Sequence, residues 1–169
     1  MSDAPVPPAG ADENVPTFHI ETLYLKDLSF ESPNVPDIFR DNHEPRVEFG
    51  LDTQNVRKGP DHWEVVLQLS LKVTSKEKAL FLVEMSYGGV FLLKNIPDQH
   101  LPMVLGVDCP NVLFPYARQL ISQVVVLGGF KPLILDPVNF FALMQQKTQQ
   151  QQARAAAAAE HTPVAGQVH

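Results

Sequence analysis

Hydrophobic and polar residues alternate along the first half of the chain in the way that half-buried β-strands require. From Glu64 to Thr74 every second residue is apolar, which predicts a strand with one buried face. Arg46 to Asp52 repeats this pattern, and Phe18 to Leu28 shows it at similar quality. The side chains expected to face the core are Val65, Leu67, Leu69, Leu71 and Val73 in the first of these strands, Val47, Phe49 and Leu51 in the second, and Phe18, Ile20, Tyr24 and Leu28 in the third.

A further strand, Ala79 to Leu93, differs from the others because apolar residues occupy both of its faces. Gly88 and Gly89 interrupt it, which predicts a bulge or a kink at its middle. A strand that is apolar on both sides needs two covers. Helices of the same chain would supply one cover and a second subunit the other, so we expect the protein to form an oligomer.

Helical periodicity replaces the alternation after Pro110. This proline is expected to exclude helix before it, and Asn111 to cap the first turn. Pro115 is expected to fall early in the helix, where its missing N–H breaks no hydrogen bond, and Gly128 should end the helix. The expected core face consists of Leu113, Tyr116, Ala117, Leu120, Val124 and Leu127.

A last helix is predicted to begin with Asp136 as its cap and Pro137 at its first position. It should bury Val138, Phe141 and Met144. Strands that come first and helices that come last are typical of an α+β fold. We therefore expect a four-stranded antiparallel sheet with the helices packed on one of its faces.

Composition and charge restrict the class of protein. A length of 169 residues and a hydrophobic content of 44% suit one domain, which we place at residues 17–150. Residues 1–16 are predicted to be a disordered arm and residues 151–169 a low-complexity tail. The net charge of -6, without a Lys/Arg cluster, argues against a nucleic-acid partner. Without an apolar run of roughly 20 residues or a leader segment, we expect a cytoplasmic protein that does not insert into membranes.

Residues that could catalyse a reaction or bind a metal are scattered along the chain. Cys109 is the single cysteine, and the histidines show no metal-ligand spacing. The adjacent pairs Asp61–His62 and Asp108–Cys109 are better explained as strand or turn residues than as catalytic pairs. Gly88–Gly89 and Gly128–Gly129 lack the lysine and Ser/Thr of a phosphate-binding loop. We therefore expect a protein without enzymatic activity, ATP hydrolysis, cofactor or metal.

Several long segments of the chain resemble the SecB family of bacterial protein-export chaperones. Lys26 to Asn34 (KDLSFESPN) and Asp108 to Arg118 (DCPNVLFPYAR) carry the similarity most clearly. The resemblance extends from about Phe18 to Met144 and leaves out both ends of the chain. Three shorter segments also resemble the family, namely Phe81–Glu84 (FLVE), Gly88–Phe91 (GGVF) and Pro137–Phe140 (PVNF).

The resemblance implies an ATP-independent holdase that is a cytosolic homotetramer, built as a dimer of dimers. Such a chaperone binds unfolded secretory precursor proteins, keeps them competent for translocation and delivers them to the motor ATPase SecA. It also implies that SecA contacts a flat, largely acidic face of the sheet, where the matching residues here are Asp27, Glu31, Leu82 and Glu84. From the sequence pattern alone, these carboxylates would be a solvated strand face.

Clients of the family bind in hydrophobic grooves between the helices and the loop after the first strand. The corresponding loop here is Asn34 to Pro45. Burial of one large apolar side chain contributes roughly 1.5–3 kcal/mol before ordering costs, so an extended client gains affinity by occupying several grooves. The matching candidates for the groove lining are Phe39, Val47, Phe49, Leu101 and Leu105, of which Val47 and Phe49 are explained equally well as core residues.

Two alternative functions stay open at this point. A SecB-like chaperone that serves a toxin–antitoxin pair would share the fold and the grooves, and the proteins that co-purify with it would distinguish it. A hot-dog thioesterase also combines long antiparallel strands with a helix. That fold places its helix before most of its strands, however, whereas the helices come last here.

Overall fold

The computed structural model describes residues 14–40 and 44–160. Within them, four strands form one antiparallel sheet: β1 (Thr17–Glu31), β2 (Arg46–Arg57), β3 (His62–Ser75) and β4 (Lys78–Lys94). Their order in space is β1-β4-β3-β2, so β3 and β4 are central and β1 and β2 are the edges of the described sheet. The predicted α+β class with a four-stranded antiparallel sheet is confirmed.

The helices follow the sheet along the chain. The short helix α1 (Leu101–Met103) continues through a π-helical turn (Val104–Asp108) into α2 (Cys109–Leu127), and α3 (Phe140–Glu160) comes last. Helix α2 packs on β3 and β4, and we call this side of the sheet the inner face and the opposite side the outer face. The side chains buried between sheet and helix include Leu67, Leu71, Phe91, Leu113, Ile121 and Val125.

The alternation predicted for β3 is confirmed, but its counterpart on β2 is only partly buried. All five apolar side chains from Val65 to Val73 on the inner face of β3 are at most 3% exposed. On β2, Val47 and Phe49 stay 47% and 39% exposed. Helix α2 lies over the central strands, and the inner side of this edge strand is therefore open.

Strand β1 departs from simple alternation because its described register with β4 contains two β-bulges, at Glu21 and at Lys26. Each bulge inserts one residue and so reverses the order of inward and outward side chains. Between the two bulges, Leu23 packs against the core and Tyr24 lies on the outer face. The prediction that Tyr24 faces the core is therefore wrong.

The bulge predicted at Gly88–Gly89 is also wrong, because β4 pairs continuously with β3 at these residues. The glycines instead allow close approach on both sides of the strand. A Cβ atom added to Gly89 would lie 3.1 Å from Cδ2 of Leu113, and one added to Gly88 would lie 3.1 Å from Cζ of Tyr24. Gly89 thus lets α2 approach the sheet, and Gly88 lets the Tyr24 ring cross β4 on the outer face.

The predicted helix start at Asn111 is wrong, because helical backbone is present from Leu101 onward. The reason lies in the π-helical turn just before Pro110. There the N–H of Cys109 bonds to the carbonyl of Val104, five residues back. This wider turn accommodates a proline, which has no N–H to donate to the turn before it.

Pro115 lies inside α2 rather than in a first turn, so the carbonyl of Asn111 lacks its usual helical donor. The predicted end of the helix at Gly128 is confirmed. The face that packs on the sheet is shifted from the predicted one, since Tyr116 and Leu127 are 50% and 85% exposed. The buried side chains of α2 are Cys109, Pro110, Leu113, Phe114, Ala117, Ile121 and Val125.

Helix α3 begins later than predicted. Asn139 rather than Asp136 caps it, because the Asn139 side-chain oxygen accepts a hydrogen bond of 3.0 Å from the backbone N–H of Ala142. The later start places Phe140 in the core at 3% exposure, whereas Phe141 is 44% exposed. An asparagine directly before the first helical turn was thus the better signal than the Asp-Pro pair.

The predicted ends of the domain stay predictions. Of the predicted arm at residues 1–16, residues 1–13 lie outside the described part of the chain. Residues 151–160 of the predicted tail continue α3, and residues 161–169 again lie outside the described part.

Candidate functional site

The outer face of the sheet carries rows of side chains that run across all four described strands. Directly paired residues on neighbouring strands point to the same side of a sheet, so the register defines each row. We call three neighbouring rows the acidic face, because their carboxylates outnumber the lysine among them. From β1 through β4 and β3 to β2, these rows are Glu31–Leu82–Lys72–Glu48, Ser29–Glu84–Ser70–Gly50 and Asp27–Ser86–Gln68–Asp52.

The acidic face brings together the four residues that the sequence suggested for contact with SecA. Asp27 and Glu31 lie on β1, and Leu82 and Glu84 lie on the adjacent strand β4. The three carboxylates are exposed and Leu82 is half-buried. This geometry surrounds one apolar side chain with negative charge, which suits a basic protein surface that has an apolar centre.

Sequence reasoning missed Glu48 and Asp52, which extend the acidic face onto β2. Their polar positions in the alternation of β2 were a signal, but only the register shows that they share rows with the predicted residues. Asp52 also accepts a hydrogen bond from Lys147 of α3, and this bond lowers the pKa of Asp52. Helix α3 is thereby tied to the border of the acidic face.

Beside the acidic face, a buried carboxylate gathers two lysines and a tyrosine. Glu64 of β3 is 7% exposed and pairs with Nζ of Lys26 at 2.8 Å and Nζ of Lys58 at 3.0 Å. The hydroxyl of Tyr24 donates a further hydrogen bond to Glu64. The bonds from Lys26, Tyr24 and Lys58 outweigh burial and lower the pKa of Glu64 to about 2. Burial and the contact with Glu64 raise the pKa of Tyr24 to about 12, so neutral pH leaves Glu64 ionised and Tyr24 protonated.

Acid is expected to weaken this cluster. The pKa of Glu64 is lower in the folded protein than the ordinary value of 4.5, so its ionised form stabilises the fold above that pH, and the contribution is lost as pH falls toward 2. For such a shift the contribution is about 3 kcal/mol. Urea unfolding of the wild type and of Glu64→Gln at about pH 6 and about pH 3 measures it.

The wild type should lose more stability than Glu64→Gln between these two pH values, because the variant lacks the titrating group. Other carboxylates titrate in both proteins, so the difference between the two losses isolates Glu64. Equal losses would contradict a lowered pKa at this residue.

On the inner face, a cavity of about 530 Å³ opens beside the end of α2. We call it the aromatic pocket. Its volume lies in the range of pockets that hold apolar groups of ligands. The loop predicted to border a groove, Asn34 to Pro45, reaches it through Phe39 and Pro45, and residues 41–43 of that loop lie outside the described part. The lining side chains include Phe39, Val47, Val73, Phe81, Phe130 and Leu133.

Phenylalanine rings form the wall of the aromatic pocket. The ring centroid of Phe130 lies 5.1 Å from that of Phe39 and 4.8 Å from that of Phe81, and Phe30 stacks on Phe81 at 5.9 Å. Gly129 turns the chain with a φ of +87°, and a Cβ atom there would lie 3.0 Å from Cζ of Phe39. Sequence reasoning missed Phe130, although an aromatic residue just after the predicted helix end was an available signal.

The aromatic pocket brings together two of the five predicted groove residues, Phe39 and Val47. Phe49 is the next inward residue on β2 and is 39% exposed, but it does not line this pocket. Leu101 and Leu105 belong to the helical segment before α2 and do not line it either. Leu105 is 5% exposed and part of the core, and Leu101 packs against the core.

The thiol of Cys109 is poorly suited to nucleophilic chemistry. The residue is 0% exposed, and burial, with a smaller contribution from Asp108, raises the pKa of the thiol to about 12. Among the residues that the structure describes, no three His, Cys, Asp or Glu side chains gather as a metal site would require. No helix in the described ranges is long and apolar enough to cross a bilayer.

Comparison with known proteins identifies relatives over most of the chain. The family model described as preprotein translocase subunit SecB matches residues 11–151. The protein-export protein SecB of Magnetococcus marinus is 58% identical over 134 residues, which are 79% of this chain and 85% of that protein. The protein-export protein SecB of Desulfotalea psychrophila is 50% identical over 133 residues, which are 77% of this chain and 85% of that protein.

A solved structure shares the fold at much lower sequence similarity. It is a SecB-like chaperone of Mycobacterium tuberculosis in complex with a peptide from an antitoxin, and it superposes with a TM-score of 0.56. The two sequences are 13% identical, and the match covers 72% of this chain and 91% of that one. At that identity the likeness is evidence for the fold alone.

Proposed function

Because the chain belongs to the SecB family of protein-export chaperones, we propose that it holds unfolded secretory precursor proteins at the aromatic pocket and delivers them to the motor ATPase SecA through the acidic face. SecB is a family of holdase chaperones and not of enzymes. The toxin–antitoxin and thioesterase alternatives are not favoured, since relatives with 58% and 50% identity are protein-export proteins.

The observation that carries the proposal for client binding is an apolar pocket whose walls remain partly open. Phe39 and Val47 are 48% and 47% exposed, although both line the aromatic pocket. An extended client that covers them removes apolar surface from water, at about 25 cal/mol per Å² before the costs of ordering the client. One such pocket holds a chain weakly, so useful affinity requires that a client contacts the pockets of several subunits.

The acidic face supports the proposal for SecA binding. Its exposed carboxylates would steer a basic surface and set its orientation, while Leu82 would supply apolar contact at the centre. The acidic face and the aromatic pocket lie on opposite sides of one sheet, so the two partners do not compete for the same surface.

Exposed apolar side chains support the homotetramer that belongs to this proposal. Leu127 and Ile134 are 85% and 79% exposed, and Tyr116 of α2 is 50% exposed. Exposed apolar side chains of this size are removed from water when further subunits cover them. The proposed state is a dimer of dimers in the cytoplasm, where precursors are held before translocation, and it acts without enzymatic activity or cofactor.

The proposal is tested by light scattering and by a refolding assay. The mass should correspond to four chains of 18.8 kDa each and should increase when a denatured precursor is added. Refolding of a slowly folding maltose-binding-type substrate should be retarded when the protein is in stoichiometric excess, whereas the same substrate added in its native form should not bind. Unretarded refolding would refute the holdase function.

A further inference from the structure

The β-bulge at Lys26 determines which side chains of β1 reach the acidic face. Leu25 pairs with Tyr87, and the next pair is Asp27 with Ser86. Lys26 is left between these pairs as the extra residue. In a strand without an extra residue, strict alternation would turn the side chain that follows Lys26 to the inner face. The bulge is therefore the reason that Asp27 points outward.

The residues at the bulge contact a carboxylate on the outer face. The ammonium group of Lys26 lies 2.8 Å from Oε1 of Glu64, which belongs to β3 and is reached across the whole width of β4. Tyr24, two residues before the bulge, donates its hydroxyl to the same oxygen, and its ring crosses β4 where Gly88 has no side chain. Nζ of Lys58 lies 3.0 Å from the other oxygen, Oε2.

Glu64 is not itself a surface that a partner can touch. It is 7% exposed, and both of its carboxylate oxygens already have ammonium partners. Charge-assisted bonds of this kind are stronger in such a site than in water. Glu64 can therefore influence a partner only through the residues that it contacts.

We propose that Glu64 is a positioning residue for the contact with SecA: by holding Lys26 as the extra residue of the bulge, it leaves Asp27 paired with Ser86 in the acidic face. The inference rests on the function proposed above for that face. Leu28 and Phe30 pack against the core and keep the rest of β1 in register. Loss of Glu64 should therefore let Lys26 take the pairing with Ser86. Asp27 then becomes the extra residue, and pairing no longer fixes its position in the acidic face.

A double-mutant cycle tests whether Glu64 acts through Asp27. By calorimetric titration, Glu64→Gln should weaken SecA binding about three- to tenfold in the wild type and by less than about twofold in an Asp27→Ala background. Glu48→Gln is the matched control, because it removes the same charge from the outer face without touching the bulge. Its effect should be the same in both backgrounds. Full additivity of Glu64→Gln and Asp27→Ala would overturn the inference.

The register of β1 provides a second readout that a general loss of charge would not change. In a crystal structure of Glu64→Gln, Lys26 should pair with Ser86, while Leu28 should keep its pairing with Met85. Retention of the pair between Asp27 and Ser86 would overturn the inference whatever the affinity. If Glu64→Gln does not fold, Lys26→Met carries both measurements, since the Lys26 side chain is 51% exposed and its loss is tolerated more easily.

Failure of this inference can be told apart from failure of the proposed function. If Asp27→Ala leaves SecA binding unchanged, the function proposed for the acidic face is wrong at this residue, and the inference falls with it. If Asp27→Ala weakens binding but Glu64→Gln and Lys26→Met leave both the affinity and the register unchanged, the proposed function stands and only the positioning role of Glu64 is refuted.

Discussion

Asp27→Lys and Glu84→Lys are each expected to weaken binding to SecA by about tenfold or more and to leave the mass of the oligomer unchanged. Both side chains are exposed on adjacent strands of the acidic face, so a lysine there repels a basic partner that the carboxylate attracted. Substitutions at exposed positions usually change stability by less than about 0.5 kcal/mol. Calorimetric titration with SecA gives the affinity, and light scattering gives the mass.

Asp98→Lys is the matched control for these charge reversals. Asp98 is an exposed carboxylate between β4 and α1, away from the acidic face, and its reversal changes the net charge by the same amount. The affinity of this control should stay close to that of the wild type, and the losses at Asp27 and Glu84 should shrink as salt is added. An equal loss in the control, or a change of oligomeric mass in either test variant, would contradict a specific contact at the acidic face.

Phe39→Asp is expected to reduce the capture of unfolded clients by about tenfold or more, while binding to SecA survives. The Phe39 ring forms part of the wall of the aromatic pocket and packs on Phe130 at 5.1 Å. A carboxylate at this position must be desolvated whenever a client covers it. The retardation of refolding of a slowly folding substrate measures capture, and titration with SecA shows whether the other face is intact.

Phe141→Asp is the control for this substitution. Phe141 lies on α3, is 44% exposed against 48% for Phe39, and does not line the aromatic pocket. The control therefore removes a ring of similar exposure and adds the same charge elsewhere. Capture should be close to wild type in Phe141→Asp, and both variants should show normal circular dichroism. Equal impairment of capture by the two variants would refute a role of the aromatic pocket.

The sheet could be predicted from the sequence where a strand is regular and central. The alternation in β3 places branched apolar residues on its inner side, and each of them is at most 3% exposed in the folded protein. The bulges at Glu21 and Lys26 could not be predicted, because an extra residue leaves no mark in a period-2 pattern that is already imperfect. They lie opposite residues of β4 that are far away in the sequence.

The starts of the helices could not be predicted from the positions of single prolines. Pro110 indicates a helix start when only local backbone sterics count. In the structure the wider π-helical turn before Pro110 accommodates a residue that has no N–H to donate, and helical backbone continues through the proline. Pro137 likewise suggested a start, although the side chain of Asn139 makes the capping bond.

The residues of the acidic face could be named from the sequence through family resemblance, but their arrangement could not. That Glu48 and Asp52 join the same rows follows from the pairing of β2 with β3, which the sequence does not specify. The aromatic pocket was predicted only at Phe39 and Val47. Phe130 reaches it because Gly128 and Gly129 turn the chain back toward the sheet, and this is a property of tertiary packing.

The placement of the aromatic pocket on one side of the sheet and of the acidic face on the other has a consequence for the order of events. One sheet separates the two surfaces, so a client bound as proposed on the inner face would leave the outer face accessible. If the two surfaces act as proposed, SecA docks while the client is still bound, and transfer does not need an interval in which the precursor is free to aggregate.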